Sequence, residues 1–158
     1  MICDLNREME NDIKNEKKRE NTGGVMMEER ELKVGMKFKA ETVVDKNNTA
    51  KSLRSGGLDV FATPMMVALM EKASCDGVAP YLAEGEGTVG TKVNITHDSA
   101  TPIGMKVVAE SELVEIDGRR LVFKVEAFDE KGHIGGGTHE RFIIRNEKFQ
   151  SKTDSKLA

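Results

Sequence analysis

Apolar and polar positions alternate through most of Met36-Lys37-Phe38-Lys39-Ala40-Glu41-Thr42-Val43-Val44, the two-residue period of a strand with one buried face. Asp45 to Leu58 is polar and ends at Gly56-Gly57, which predicts a loop. Thr63-Pro64 then marks the sharpest boundary in the chain. A threonine hydroxyl suits an N-cap, and proline suits the first helical position. Met65 to Met70 is apolar on every side, so the helix it opens is predicted to be buried. It continues through Glu71 to about Tyr81, with Gly77 and Pro80 weakening its last turns.

The second half reads as antiparallel sheet. Thr88 to Thr96 is one strand, and Met105 to Ile116 is another that meets Leu121 to Phe128 across the turn dipeptide Asp117-Gly118. Leu121, Phe123, Val125 and Ala127 share one face of their strand, with Lys124 and Glu126 on the other. Asp129 to Gly132 supplies a second turn, and His133 to Arg145 a last strand. The order is strand, long loop, buried helix and four strands. That is an α+β domain in which an antiparallel sheet of about five strands wraps around one long helix. Such a layer leaves unpaired edges, and pairing them between two copies predicts a homodimer.

The flanks differ in kind. Residues 1–30 are dense in charge and poor in large apolar side chains, a composition that cannot offset the entropy of ordering, so they are expected to lie outside the domain. Gly23-Gly24-Val25 directly before Met26-Met27 also fits a ribosome-binding sequence ahead of a later start codon. The domain is expected to span 31–146, followed by a loose polar tail over 147–158.

Composition narrows the function classes. The 158 residues are 38% hydrophobic with a mean hydropathy of −0.45, and no apolar run reaches the roughly 20 residues of a membrane span. Cys3 and Cys75 form no CxxC pair, which fits a reducing cytoplasm. A net charge of −3 of mixed sign gives no reason to expect nucleic acid or anionic membrane as partner. With six Phe, one Tyr and no Trp, a base-stacking platform is not expected either.

Three residues carry candidate chemistry. Glu71 follows six apolar residues in a helix that ought to be buried, where a carboxylate needs a partner. Thr63 places a hydroxyl at a helix N-terminus, among donors that favour developing negative charge. His97 ends a strand in Asn94-Ile95-Thr96-His97-Asp98 and is the best general-base candidate. Taken singly, each has an ordinary structural explanation: a solvated carboxylate, a cap, a surface histidine. His133 and His139 read as strand residues of the last hairpin, and the three histidines match no zinc spacing, so no metal is expected. Gly135-Gly136-Gly137 lacks the ending and the helix of a phosphate loop and instead marks a bulge or close backbone approach. Arg141 has strand neighbours to pair with, or a ligand to reach.

Together the segments resemble the fluoroacetyl-CoA thioesterase-like family of hotdog proteins. The resemblance rests on Val60 to Met66 and Leu69-Met70-Glu71, on Gly87 to His97, and on Gly137-Thr138-His139-Glu140-Arg141-Phe142. It covers roughly 32–146. It implies a hotdog fold, no cofactor, an acyl-CoA substrate and a catalytic set of Thr63, Glu71 and His97. Gly90 and Arg141 fall where the family contacts substrate. The amides at the helix start, or that of Gly90, would then stabilise an oxyanion. The fluoroacetyl-specific enzyme carries an aromatic gate in the loop before the helix. Asp45 to Leu58 has no aromatic residue, so a more general short-chain acyl-CoA, or a related thioester, is expected. A hotdog hydratase using Asp98 beside His97, and a non-catalytic acyl-CoA-binding module, are the alternatives.

Overall fold

The structure, a computed structural model, describes residues 31–157. The expected charged extension and the candidate later start at Met26 or Met27 lie outside the described residues. Five strands form one antiparallel sheet: β1 (Lys37–Val43), β2 (Glu86–His97), β3 (Lys106–Asp117), β4 (Arg120–Asp129) and β5 (Gly132–Arg145), in the order β1-β3-β4-β5-β2. Helix α1 (Thr63–Val78) crosses one face, and a 3₁₀ turn (Ala79–Tyr81) follows it.

The alternation in the sequence sets the faces. Leu121, Phe123, Val125 and Ala127 of β4 are all buried, as are Val107, Ala109, Ser111 and Leu113 of β3. Met66, Leu69, Met70, Ala73, Ser74 and Val78 of α1 meet them. Among these apolar side chains, Ser74 Oγ and Ser111 Oγ satisfy each other at 2.7 Å, and Ser74 Oγ also donates to Met70 O at 3.0 Å. Gly77 lets the end of α1 close on β1, since a Cβ there would lie inside 3.0 Å of three Phe38 carbons. The β3–β4 hairpin turns through Gly118-Arg119, one residue later than Asp117-Gly118, with Asp117 paired to Arg120 and Gly118 taking φ +55°.

The helix departs from expectation in two ways. It packs chiefly on β1 and β3, and its other side is uncovered by the described residues: Pro64 and Ala68 are exposed and Val67 is half-buried. The apolar run is therefore buried on one side only. The cap is also different. Ala62 holds the N-cap position with extended dihedrals and no side-chain cap bond, and Thr63 is the first helical residue.

The polar segment before α1 is held down by its own side chains. Asn48 Oδ1 accepts from Asp45 N at 2.8 Å, and Asn48 Nδ2 donates to Val43 O at 3.0 Å. Thr49 bridges to Phe61, Val60 to Pro102, and Phe61 is buried. These contacts fix where α1 begins. At the other end the tail expected to be loose is helical over Asn146–Asp154 (α2), with no residue buried. Bonds within the helix hold it, including Gln150 Nε2 to Asp154 Oδ1 at 2.7 Å and Thr153 Oγ1 to Phe149 O at 2.9 Å. No described helix is long and apolar enough to cross a membrane.

Candidate active site

Because Ala62 takes the cap position, the Thr63 hydroxyl is free to turn elsewhere. Its Oγ1 lies 2.8 Å from His97 Nδ1, joining the start of α1 to the end of β2 across 34 residues of sequence. This is hydrogen-bond contact between a hydroxyl and a potential base, the arrangement that activates a weak oxygen nucleophile. The other ring nitrogen, His97 Nε2, is buried and has no partner among the described residues. A buried imidazole nitrogen left unbonded is uncommon, and such groups recur at catalytic sites. The pair opens on a cleft of about 510 Å³ lined by Ala50, Ser55, Val60, Phe61, Pro64, Val67 and the segment Asp98 to Ala100. Asp98, beside His97 in sequence, turns its carboxylate to Thr96 Oγ1 at 2.9 Å.

Helix geometry takes Glu71 away from this pair. Eight residues along α1 rise about 12 Å, and Glu71 there meets a different set of groups. Its Oε1 lies 3.8 Å from His139 Nε2 and 3.9 Å from an Arg141 terminal nitrogen. Gly90 completes the cluster: a Cβ on it would lie well inside 3.0 Å of Glu71 Oε1 and 3.1 Å from His139 Cε1. The carboxylate therefore rests against the bare backbone of β2. Within one chain the five candidates form two groups, Thr63 with His97 and Glu71 with Gly90 and Arg141.

A bulge makes both groups possible. Gly90 pairs with Arg141 and Lys92 with Glu140, so the ladder slips by one residue at Thr91. In an uninterrupted strand Gly90 and His97, seven positions apart, would face opposite sides. The extra residue reverses the alternation. Thr88 and Gly90 before it, and Val93, Ile95 and His97 after it, all face the helix side, opposite Ile143, Arg141, His139, Gly137 and Gly135 respectively. The glycine run is a close approach, not an anion loop: a Cβ at Gly135 would collide with Thr96 O, one at Gly136 with Val125 O, and one at Gly137 with Asn94 O.

Arg141 is only 6% exposed and is held from three sides. Its Nε donates to Thr88 Oγ1 at 2.8 Å, one terminal nitrogen donates to Thr88 O at 2.9 Å, and the other lies 3.2 Å from His139 Nε2. His139, assigned only a strand position by its sequence, is 1% exposed at the centre of this cluster. Its Nδ1 donates to Lys92 O at 2.9 Å, and its ring stacks on Phe123 with centroids 6.2 Å apart. Burial is the main reason its pKa lies below the usual 6.5; Arg141 pushes the same way, against the Lys92 bond, Glu71 and Glu140. The available signal was parity: His139 and Arg141 sit two apart on one strand, so they share a face.

With this geometry in view, the relationship to known proteins is direct. The sequence model of the fluoroacetyl-CoA-specific thioesterases matches residues 44–147. The chain belongs to that family. A relative in it, the fluoroacetyl-CoA thioesterase of Streptantibioticus cattleyicolor, is 42% identical over 131 residues, spanning 79% of this chain and 94% of its own. A solved structure of fluoroacetyl-CoA thioesterase superposes with a TM-score of 0.76 at 42% identity, over 79% of this chain and 97% of that one. A thioesterase superfamily member from Thermus thermophilus is 31% identical with a TM-score of 0.73, over 79% of this chain and 93% of its own. The hotdog fold and the family expected from the sequence motifs are thereby borne out, and the chain is a thioester hydrolase by kinship.

Proposed function

We propose that this thioesterase family member hydrolyses a short-chain acyl-CoA thioester to the free acid and coenzyme A, using Thr63, His97 and Glu71. The observation that carries the reading is the 2.8 Å contact between Thr63 Oγ1 and His97 Nδ1 at the mouth of a cleft. In this reading His97 takes the Thr63 proton as Oγ1 attacks the thioester carbonyl. The C–S bond breaks, coenzyme A leaves with that proton, and water then hydrolyses the acyl ester. Where Thr63 positions water instead, the proton His97 takes is the water's, relayed through Oγ1. The amides of Met65 and Met66 already donate to Ala62 O, both at 3.0 Å, and Pro64 has none. The Thr63 amide is then the donor the helix start offers to an oxyanion. Small residues, Ala50 and Ser55, stand where loop and cleft meet, which fits an acyl group not selected by an aromatic gate.

The trio requires a second copy. β2 is an edge strand, and Gly90 to Asn94 on it are all exposed. Suppose β2 pairs antiparallel with its symmetric copy about an axis near Val93 and Asn94. Gly90 of one copy then lies opposite His97 of the other, because the bulged Thr91 drops out of the count and leaves each three ladder positions from Asn94. Thr63 and His97 of one subunit would thus face the Gly90 and Glu71 of its partner. The same pairing covers Pro64, Val67 and Ala68.

The test is thiol release from acetyl-, propionyl-, butyryl- and fluoroacetyl-CoA by wild type, T63A, E71Q and H97A. Each variant should remain a folded dimer by light scattering and lose at least about 10²-fold in turnover. Wild-type rates in all three would end the catalytic assignment, and a monomer with full activity would end the shared site. A hydratase is less well supported, since Asp98 is committed to Thr96 and does not serve His97.

A further inference from the structure

The two ring nitrogens of His139 have fixed and opposite duties. Lys92 O can only accept, so Nδ1 must carry the proton. The guanidinium of Arg141 can only donate, so Nε2 must present its lone pair, at 3.2 Å. Protonating the ring would put an N–H against a buried cation. The imidazole is therefore held neutral, in one tautomer, as an acceptor.

Arg141 needs that acceptor. Thr88 takes Nε and one terminal nitrogen, fixing one edge of the guanidinium. The remaining terminal nitrogen faces both His139 Nε2 and, at 3.9 Å, Glu71 Oε1. With one of its two hydrogens given to His139, the other is aimed toward the carboxylate. Without the imidazole, the hydrogen it accepts is left without a partner, and the mobile Glu71 carboxylate, the nearest other acceptor at 3.9 Å, would swing toward it and off Gly90, where it now lies in close contact.

We propose that His139 is a positioning residue, acting through Arg141 to hold the Glu71 carboxylate against Gly90. This rests on the assignment of Glu71 to the reaction. His139 touches no reacting atom. Its effect falls on turnover and not on substrate affinity, because the carboxylate is displaced while the cleft at Thr63 is unchanged.

Two substitutions separate the ring's duties. H139N keeps a donor for Lys92 O but is too short to accept from Arg141. H139Q extends an amide oxygen toward Arg141. Both are measured by thermal melting and thiol release from acetyl-CoA, alone and combined with E71Q. The expected result is a folded H139N with kcat down about 10²-fold, the consequence of an ångström-scale misplacement, at a KM within threefold of wild type. H139Q should recover most of that turnover. On the E71Q background H139N should change kcat less than threefold, since the group it positions is already disabled. Wild-type turnover in H139N, or a loss that multiplies with that of E71Q, would overturn the proposal. Wild-type turnover in E71Q would instead remove the assignment of Glu71 itself, and that result is read from the single variant alone.

Discussion

Gly90→Ala separates the chemistry from the scaffold. The added methyl would sit well inside 3.0 Å of Glu71 Oε1 and 3.1 Å from His139 Cε1. Ordinary contact begins near 3.4 Å, so the carboxylate must retreat by about 1 Å, while the imidazole gives only a few tenths. A displacement of that size at a reacting group is worth about 10²-fold in rate, or about 2.7 kcal/mol of activation free energy. Stability should move far less. Gly90 does not have a positive φ, and the atom it strikes is the end of a flexible side chain. Replacing glycine by alanine also restricts the unfolded chain, a gain of about 0.4 to 1 kcal/mol that offsets the local crowding. The net change in unfolding free energy should therefore stay within about 1 kcal/mol. Urea unfolding and thiol release on one preparation give both quantities. Wild-type turnover would show that the contact between Glu71 and Gly90 has no part in the reaction. A loss of several kcal/mol in stability would show that the carboxylate cannot yield.

Three further substitutions probe the frame. G77A should destabilise the fold by about 1 to 3 kcal/mol, because the new Cβ meets the Phe38 ring inside 3.0 Å and the end of α1 must lift from β1; an unchanged melting curve would show that Phe38 turns aside freely. S74A should cost about 1 to 3 kcal/mol by stranding the buried Ser111 hydroxyl, while S74A with S111A should cost less than the two single changes summed, and strict additivity would refute the pairing. The depressed pKa of His139 predicts an acid-sensitive fold. The unfolded ring takes its proton near 6.5 and the folded ring only at lower pH, so unfolding is favoured by proton uptake. The stability from the neutral ring is complete above about pH 6.5 and is lost as pH falls through the folded value, at up to about 1.36 kcal/mol per pH unit. H139Q should flatten that part of the stability profile, and identical acid limbs in the two proteins would count against it.

Local pattern was enough to write down most of the architecture. The alternation of Leu121, Phe123, Val125 and Ala127 fixed one face of β4, and all four are buried. Thr63-Pro64 located the helix start to within a residue, because proline's missing donor is tolerated only in the first turn. The spacing of hydroxyl, carboxylate and imidazole was likewise visible along the chain. What the sequence could not determine was which of these groups share a space. A strand's period is two, so a single unpaired residue at Thr91 decides whether Gly90 and His97 face together, and no local propensity marks that slip. The helix rises steadily, so Thr63 and Glu71 stand about 12 Å apart and belong to different clusters of one chain. His139 looked like an ordinary strand residue because the groups around it, Arg141 on its own strand, Glu71 on α1 and the Lys92 carbonyl on β2, come from three separate elements. Periodicity is a property of one segment and is legible in it. A site depends on distances between segments, and only the register of the sheet and the seating of the helix set those.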